Sequence, residues 1–386
     1  MRCKKTILIL SGKYNKEVGE SIKEVFNQNK TCLAIDVNHR ELENGFKSKF
    51  LDVIFPLDST FRRKWRKLYR KILAMFHDRN KKLNLKKTKL LGINRKTKNA
   101  LNRYNPDILV VTSTPLLTPA ILAVQRSEIP VKLCVVGDSF VIHQKMINNN
   151  VDYYFVDNYD LRTKLVENNI VEEKIFIAPL PLTQKAFEEI SVEDAYKKLA
   201  LNDDKKTILI NTGSDGDDCF IEVVNQIAKA TLQANIIVAC GKNTALMTIV
   251  KNNGFFAYND TINMEMAISA SDLIISCSDN KVIAQSLLKQ KLVFGIFPNG
   301  KKEELELDYL STDSIVRITD TQDLIEKTVN YLTDIEAGNS TDYDSILELL
   351  RDKENENGAK IICNKLMEII ENTGAEKEAA VVVEEE

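Results

Sequence analysis

The chain has 386 residues, 44% hydrophobic and 28% charged, with a net charge of −2. That composition fits a soluble globular protein of two domains and excludes fibrous and low-complexity classes. No apolar run reaches the roughly 18–20 residues that span a bilayer, and the apolar stretch within Met1–Leu10 is too short for a signal peptide. Seven scattered cysteines without a Cys-x-x-Cys pair argue against a disulfide framework or a zinc site and for a reducing cytoplasm.

In chain order, strands and helices alternate. Lys5–Leu10 reads as a strand, Glu17–Asn27 as a helix and Thr31–Val37 as a second strand. Beyond a basic block come the strand Asp107–Thr112, the helical Pro119–Arg126, and the strands Val131–Val136 and Val151–Val156. A helix through Asn168 and the strand Lys174–Ala178 follow. Pro179 and Pro181 close this first alternation. The second runs from the helix Val192–Leu199 through strands near Ile208–Ile210, Asn235–Ala239, Leu273–Ser276 and Leu292–Phe294, with helices Phe220–Thr231, Ala245–Asn252 and Val282–Lys289 between them. Ser311–Arg317, Thr321–Leu332 and helices within Tyr343–Ile370 complete it. Alternation of this kind predicts parallel sheets covered on both faces. The expected division is 1–180, 181–340, C-terminal helices over 341–373 and a disordered acidic tail over 374–386, with a basic insertion over 56–103. The fold class is α/β, two doubly wound Rossmann-type domains facing a cleft.

The near-neutral total hides a charge dipole. Residues 61–103 carry seventeen Lys and Arg against one acid, Asp78, so the remainder carries −18. Phe61, Trp65, Leu68, Tyr69, Ile72, Leu73 and Phe76 recur at helical spacing, and Arg62, Arg63, Lys64, Arg66, Lys67, Arg70 and Lys71 take the other face. A basic amphipathic helix bearing the chain's one Trp suits an anionic lipid surface, with Phe61, Arg62, Arg63, Trp65, Arg66, Tyr69 and Arg70 as contacts. A core helix with a solvated basic face is the plainer alternative. Nucleic acid is not expected, because interleaved aromatics and known binding motifs are missing.

Thr212-Gly213-Ser214-Asp215-Gly216 lies between a strand and a helix, where backbone N–H groups can cradle an anion. It is equally a tight turn with a capping residue, and Asp215, Asp217 and Asp218 oppose a diphosphate unless a divalent ion intervenes. Cys240-Gly241-Lys242-Asn243, Phe255-Phe256-Ala257-Tyr258, Met264-Glu265-Met266, Ala270-Ser271-Asp272-Leu273, Val282–Leu287, Lys302-Glu303-Glu304 and Tyr309-Leu310 follow in order. Upstream stand Tyr104-Asn105-Pro106-Asp107 before a strand, and Ser139-Phe140-Val141-Ile142-His143 nine residues before Asp152. Over roughly residues 5–335 this series resembles the GT-B glycosyltransferases of the monogalactosyldiacylglycerol synthase and processive diacylglycerol glucosyltransferase type, relatives of the lipid II N-acetylglucosaminyltransferase.

The resemblance implies inverting transfer of a hexose from a UDP-sugar to a diacylglycerol-type lipid by a peripheral protein on the cytoplasmic membrane face. It implies no resident cofactor, a UDP-sugar co-substrate and an optional divalent metal. Gly213, Ser214 and Gly216 are expected at the diphosphate, Asn243, Gln285 and Glu303 at the nucleotide-sugar, and His143 at the acceptor. No residues have metal-ligand spacing. The departures fall on functional positions. The family's proton-transferring histidine is Val18 here. Its Pro-Gly-Gly-x-Thr turn reads Ser278-Asp279-Asn280-Lys281-Val282, and its ribose-binding Glu is Gln285. A catalytically degenerate membrane adaptor or scaffold is therefore the leading alternative, and a 2-epimerase-like sugar-nucleotide enzyme the third.

Overall fold

A computed structural model describes residues 4–12, 16–38, 93–137, 140, 142, 144–259, 262–277, 279–296, 315–352 and 356–384. The chain forms two compact units, one ending at Gln184 and regaining the C-terminal segment from Glu356, the other beginning its main segment at Lys185.

The first unit is built on β1 (Lys5–Ser11), β2 (Cys32–Asn38), β3 (Ile108–Val111), β4 (Lys132–Val136), β5 (Tyr153–Val156) and β6 (Ile175–Ile177). All pair in parallel, in the order β2-β1-β3-β4-β5-β6. Successive strand residues point to opposite faces, and both faces are apolar. Leu8, Leu10, Leu109, Val111, Leu133 and Val135 pack on one side with Leu101, Leu116, Leu117, Leu161 and Leu165. These come from α2 (Ile93–Tyr104), α3 (Thr114–Gln125) and α4 (Tyr159–Glu167). Ile7, Ile9, Ile108, Val110 and Val136 pack on the other side. There they meet Val18, Ile22 and Phe26 of α1 (Lys16–Asn27) and Ile362, Leu366 and Ile369 of the last helix, Gly358–Glu384.

The second unit contains α5 (Val192–Leu199), β7 (Lys206–Asn211), α6 (Phe220–Lys229), β8 (Ala234–Ala239), α7 (Thr244–Asn252) and β9 (Phe256–Tyr258). It continues with α8 (Met264–Ala270), β10 (Leu273–Ser276), α9 (Asn280–Leu288), β11 (Leu292–Gly295), β12 (Val316–Arg317), α10 (Thr321–Ala337) and α11 (Asp344–Asp352). Its sheet runs β12-β11-β10-β7-β8-β9, again parallel. The chain winds outward from β7 to β9 and then returns to β10. That reversal makes β7/β10 the topological switch point.

Several expectations are corrected. The end of the basic insertion is α2, a core helix: Thr97 and Leu101 are fully buried while Arg95 and Arg103 stay exposed. The helix expected from Pro119 starts at Thr114. Pro119 sits inside it, and the loss of one backbone bond in its second turn is offset by burial of Leu116, Leu117, Ala120 and Ile121. β9 and α8 are additional elements. The helices expected together over 341–373 divide, with Tyr343, Ile346 and Leu347 at α11 packing on the second unit and the last helix, α12, on the first. α12 extends to Glu384 through the expected disordered tail, whose Ala, Glu and Lys residues are strong helix formers.

At the amino edges one device recurs. Asp107 accepts the N–H of Thr6 at 2.8 Å, Asp152 that of Leu133 at 2.8 Å, and Asp272 that of Thr207 at 2.9 Å. Each carboxylate stands just before its own strand and ties it to the neighbour, so the N–H of the neighbour's second residue is not orphaned.

Candidate functional site

Three loops of the second unit converge at the carboxyl ends of β7, β8 and β10. Asn211, the last residue of β7, donates from Nδ2 to Ser276 Oγ at 3.1 Å, across the switch point to the end of β10. It also lies 3.4 Å from Asp279 Oδ2, and its Oδ1 accepts the N–H of Gly213 at 3.2 Å. Gly213, Gly216 and Gly241 all have positive φ. A Cβ on Gly216 would fall 2.0 Å from the Cys240 carbonyl oxygen, and one on Gly241 2.5 Å from the Gly213 oxygen. The loops after β7 and β8 therefore interlock through backbone contact that side chains would prevent.

The expected diphosphate contacts are largely committed inside this interlock. The N–H of Gly216 bonds the Gly213 carbonyl at 3.0 Å, and that of Gly213 is held by Asn211. Ser214 is exposed, and its carbonyl accepts the N–H of Lys242 at 3.2 Å. Asn243 is 1% exposed. Its Oδ1 caps α7 at the N–H of Leu246, and its Nδ2 donates to the Gly216 carbonyl and to Asp218 Oδ1, each at 2.8 Å. With carboxamide donors and acceptor engaged, Asn243 holds the two loops together. Its position four residues after the β8 strand, ahead of a helix, is an N-cap signal in the sequence.

Asp279 caps α9, its Oδ1 accepting from the N–H of Val282 at 3.4 Å. The cap sets a carboxylate at the switch point, 3.4 Å from Asn211 Nδ2. Gln285, five residues into α9, is 2% exposed. Its Nε2 donates to Glu265 Oε1 of α8 at 3.4 Å, while its Oε1 is buried with no hydrogen-bond partner. Glu265 and Asn211 are residues that sequence reasoning passed over. Glu265 stood among quoted motif residues, and Asn211 is a polar residue ending an apolar strand. His143, Glu303 and the membrane candidates Phe61, Arg62, Arg63, Trp65, Arg66, Tyr69 and Arg70 lie outside the described residues.

In the first unit, Val18 is 8% exposed and belongs to the core, with no atom able to take a proton. Beside it Ser11, at the end of β1, donates to Asp36 Oδ1 at 2.6 Å. A Cβ on Gly19 would stand 3.0 Å from Ser11 Cβ and 3.3 Å from both Asp36 oxygens, so this glycine lets α1 rest on the pair. Burial pushes the Asp36 carboxyl above its ordinary value, opposed by the Ser11 hydrogen bond and by Lys23. In the second unit a cavity of about 240 Å³ lies away from the converging loops, lined by Asp323, Glu326, Lys327, Tyr331 and Tyr343 among others. No described helix is long and apolar enough to cross a membrane.

Comparison with known proteins agrees with this architecture. The sequence model of the monogalactosyldiacylglycerol (MGDG) synthase family matches residues 16–182. A processive diacylglycerol beta-glucosyltransferase of Staphylococcus haemolyticus is 22% identical over 97% of this chain and 95% of its own length. The enzyme of that name from Bacillus pumilus is 28% identical over 40% of this chain, a match spanning 39% of that protein. Among solved structures, MurG of Acinetobacter baumannii has a TM-score of 0.61 at 12% identity, covering 95% of this chain and 99% of its own. The UDP-GlcNAc 2-epimerase of Neisseria meningitidis, bound to UDP-GlcNAc, has a TM-score of 0.58 at 14% identity, covering 94% of this chain and 100% of its own. Two parallel six-stranded sheets and these matches together make the chain a divergent GT-B-fold protein that resembles the monogalactosyldiacylglycerol synthases and processive diacylglycerol glucosyltransferases.

Proposed function

We propose that the chain transfers a hexose from a UDP-sugar to a hydroxyl of a diacylglycerol-type lipid at the cytoplasmic membrane face. The observation that carries this reading is the convergence of glycine-bearing loops at the switch point of the second unit, in a chain whose relatives are named diacylglycerol glucosyltransferases. Open α/β sheets bind nucleotides at such a point. In the reaction the acceptor oxygen attacks the anomeric carbon as its proton passes to a base. The bond from that carbon to UDP breaks, and the diphosphate leaves with the electron pair. Donors positioned on the diphosphate lower the barrier to that charge separation. With Val18 unable to act, His143 is the proposed proton acceptor. Ser214, Gln285 and Glu303 are the proposed polar contacts to the donor, and Gly213, Gly216 and Asn243 shape the loops that carry it. The basic segment around Phe61–Tyr69 is the proposed lipid contact.

Asp279 works against tight binding. A carboxylate about 5 Å from a phosphate costs on the order of 1 kcal/mol per pair at high dielectric. UDP affinity is therefore expected to be weak, to rise with Mg²⁺ or Mn²⁺, and to rise when Asp279 and Asn280 are both changed to Gly. Titration calorimetry with UDP, paired with transfer of labelled hexose from UDP-glucose and UDP-galactose into diacylglycerol vesicles, tests the reading. If neither metal nor the double change gives measurable UDP binding, the donor site is absent. The second reading, a non-catalytic membrane adaptor, then stands. It is favoured by the burial of Val18 in the core where the family has a histidine.

A further inference from the structure

We propose that Cys32, Cys363 and Met367 form a binding site for a soft monovalent metal ion, Cu(I), in which β2 supplies one thiolate and α12 supplies a thiolate and a thioether.

Three sulfur atoms gather where α12 rests on the first residue of β2. The Cys32 thiol donates to Met367 Sδ at 3.3 Å, between positions far apart in the chain. Cys363 and Met367 stand four residues apart on α12, so they lie one above the other on a single helix face. Burial, and then the neighbouring Cys32, push the Cys363 thiol up to about 12. Cys32 is 5% and Cys363 4% exposed, while Met367 is only partly buried at the same place. Ile362, Leu366 and Ile369 anchor the helix on the sheet, so the sulfurs are brought together before any ion arrives.

A cysteine in an apolar core commonly serves as a small hydrophobe, and Cys134 and Cys240, both 0% exposed, fit that description. The trio differs in its donor chemistry. Its closest polar contact is sulfur to sulfur; the nearby oxygens stand further off, the Ile22 carbonyl at 3.5 Å from Cys363 Sγ and the Thr31 hydroxyl at 3.8 Å from Cys32 Sγ. Thiolate and thioether ligands select soft ions. Structural zinc draws four ligands from Cys, His and carboxylates, and a thioether is not among them. Two thiolates and a thioether suit Cu(I), which accepts low coordination numbers.

A bare ion also needs no preformed cavity. It takes the place of the thiol protons between the sulfurs, and the partly exposed Met367 gives it a way in. With both thiols protonated the metal-free trio is neutral. Binding forms two Cu–S bonds to thiolates and releases two protons, and the bond to the Met367 lone pair releases none. The bound ion joins β2 to α12, so it stabilises the folded first unit by mass action.

Anaerobic titration of the full chain with Cu(I), against bicinchoninate as competing chelator, tests this. The wild type is expected to hold one equivalent of Cu(I) against the chelator, to release two protons per ion and to melt at a higher temperature when loaded. Cys32→Ala and Cys363→Ala should each abolish that equivalent, and Cys219→Ala, in the second unit, should leave it intact. Met367→Leu keeps the side-chain volume. It should weaken binding by at least about tenfold, since loss of even an outer-shell group costs a metal site that much. Copper-edge X-ray absorption should show sulfur ligands alone. The proposal is overturned if the wild type yields all its Cu(I) to the chelator, or if nitrogen or oxygen ligands dominate the spectrum. Should the cysteine variants fail to fold, Met367→Leu decides: an unchanged Cu(I) affinity in that variant overturns the site.

Discussion

At the amino edges of the two sheets, aspartates do the same task in both units; at the carboxyl edges they do different ones. Asp107, Asp152 and Asp272 each bind the N–H of the second residue of a neighbouring strand. At the other edge Asp36 takes a serine hydroxyl, Asp279 caps a helix, and Asp218 takes the amide of Asn243. The motifs in which an acid precedes an apolar strand belong to the amino edge. They report a solution to a backbone problem that every parallel strand pair has, so they identify the fold with little bearing on chemistry. The residues standing where the resemblance implies a histidine and a glycine are integrated into local structure: Val18 into the core and Asp279 into a helix cap.

The largest expected effect breaks the carboxyl edge of the second unit. Gly216→Ala would place a methyl group 2.0 Å from the Cys240 carbonyl oxygen, at a φ of +67°. Left-handed strain and a backbone clash together should cost about 3–5 kcal/mol. The urea midpoint of the second unit should fall, and hydrogen exchange should rise first in the loops 212–218 and 240–243. A loss below about 1 kcal/mol would mean that the loops yield easily and that their geometry is not set before a ligand arrives.

At the amino edge the expected loss is smaller. Asp272→Ala leaves the N–H of Thr207 without its acceptor in a residue that is fully buried, at about 2–3 kcal/mol. Asp272→Asn keeps an oxygen there and should recover most of this. Lys291 provides the counter-measurement. Burial lowers its pKa and Asp272 raises it, so either substitution should push the Lys291 pKa further down. Lys206 Nζ lies 3.6 Å from Asp272 Oδ1, and equal destabilisation by Ala and Asn would assign the effect to the charges on Lys206 and Lys291 and remove the parallel with Asp107 and Asp152.

This contrast also explains what could be read in the sequence. Apolar runs such as Ile208–Ile210 and Leu273–Ser276 are strands buried on both faces, so periodicity and composition locate them well. Phe256–Tyr258 is only partly buried and three residues long, too short to give a pattern. The helix at Thr114 was hidden by Pro119, because a proline normally marks a start and here a buried helix absorbs it. At the site, glycines 213, 216 and 241 were legible as turn residues, yet which N–H groups the turns consume depends on contacts between loops. Asn243 was expected at the nucleotide-sugar, and its three hydrogen bonds, which tie two loops and cap a helix, depend on contacts that no local motif encodes. The Glu265–Gln285 pair joins positions twenty residues apart on two helices, a juxtaposition that no local motif encodes.

The smallest expected effect asks whether Asp36 belongs with the structural acids or apart from them. Burial raises its pKa, and the Ser11 hydroxyl and Lys23 oppose that shift without cancelling it. The folded state therefore holds this proton more tightly than the unfolded chain, whose Asp titrates near a pKa of about 3.9. The corresponding stability is fully present below the unfolded value and is lost as pH rises through the folded one. Asp36→Asn removes the ionisation, and its Oδ1 can still accept from Ser11. The variant should match the wild type near pH 3 and melt about 1–2 °C higher at pH 7. The sign differs from that of the amino edge, where Asp272→Asn should be neutral or destabilising at pH 7. If Asp36→Asn instead melts lower at pH 7 and equal at pH 3, the ionised carboxylate is stabilised by Ser11 and Lys23. Asp36 would then be a bridge of the amino-edge kind, placed at the other end of the sheet.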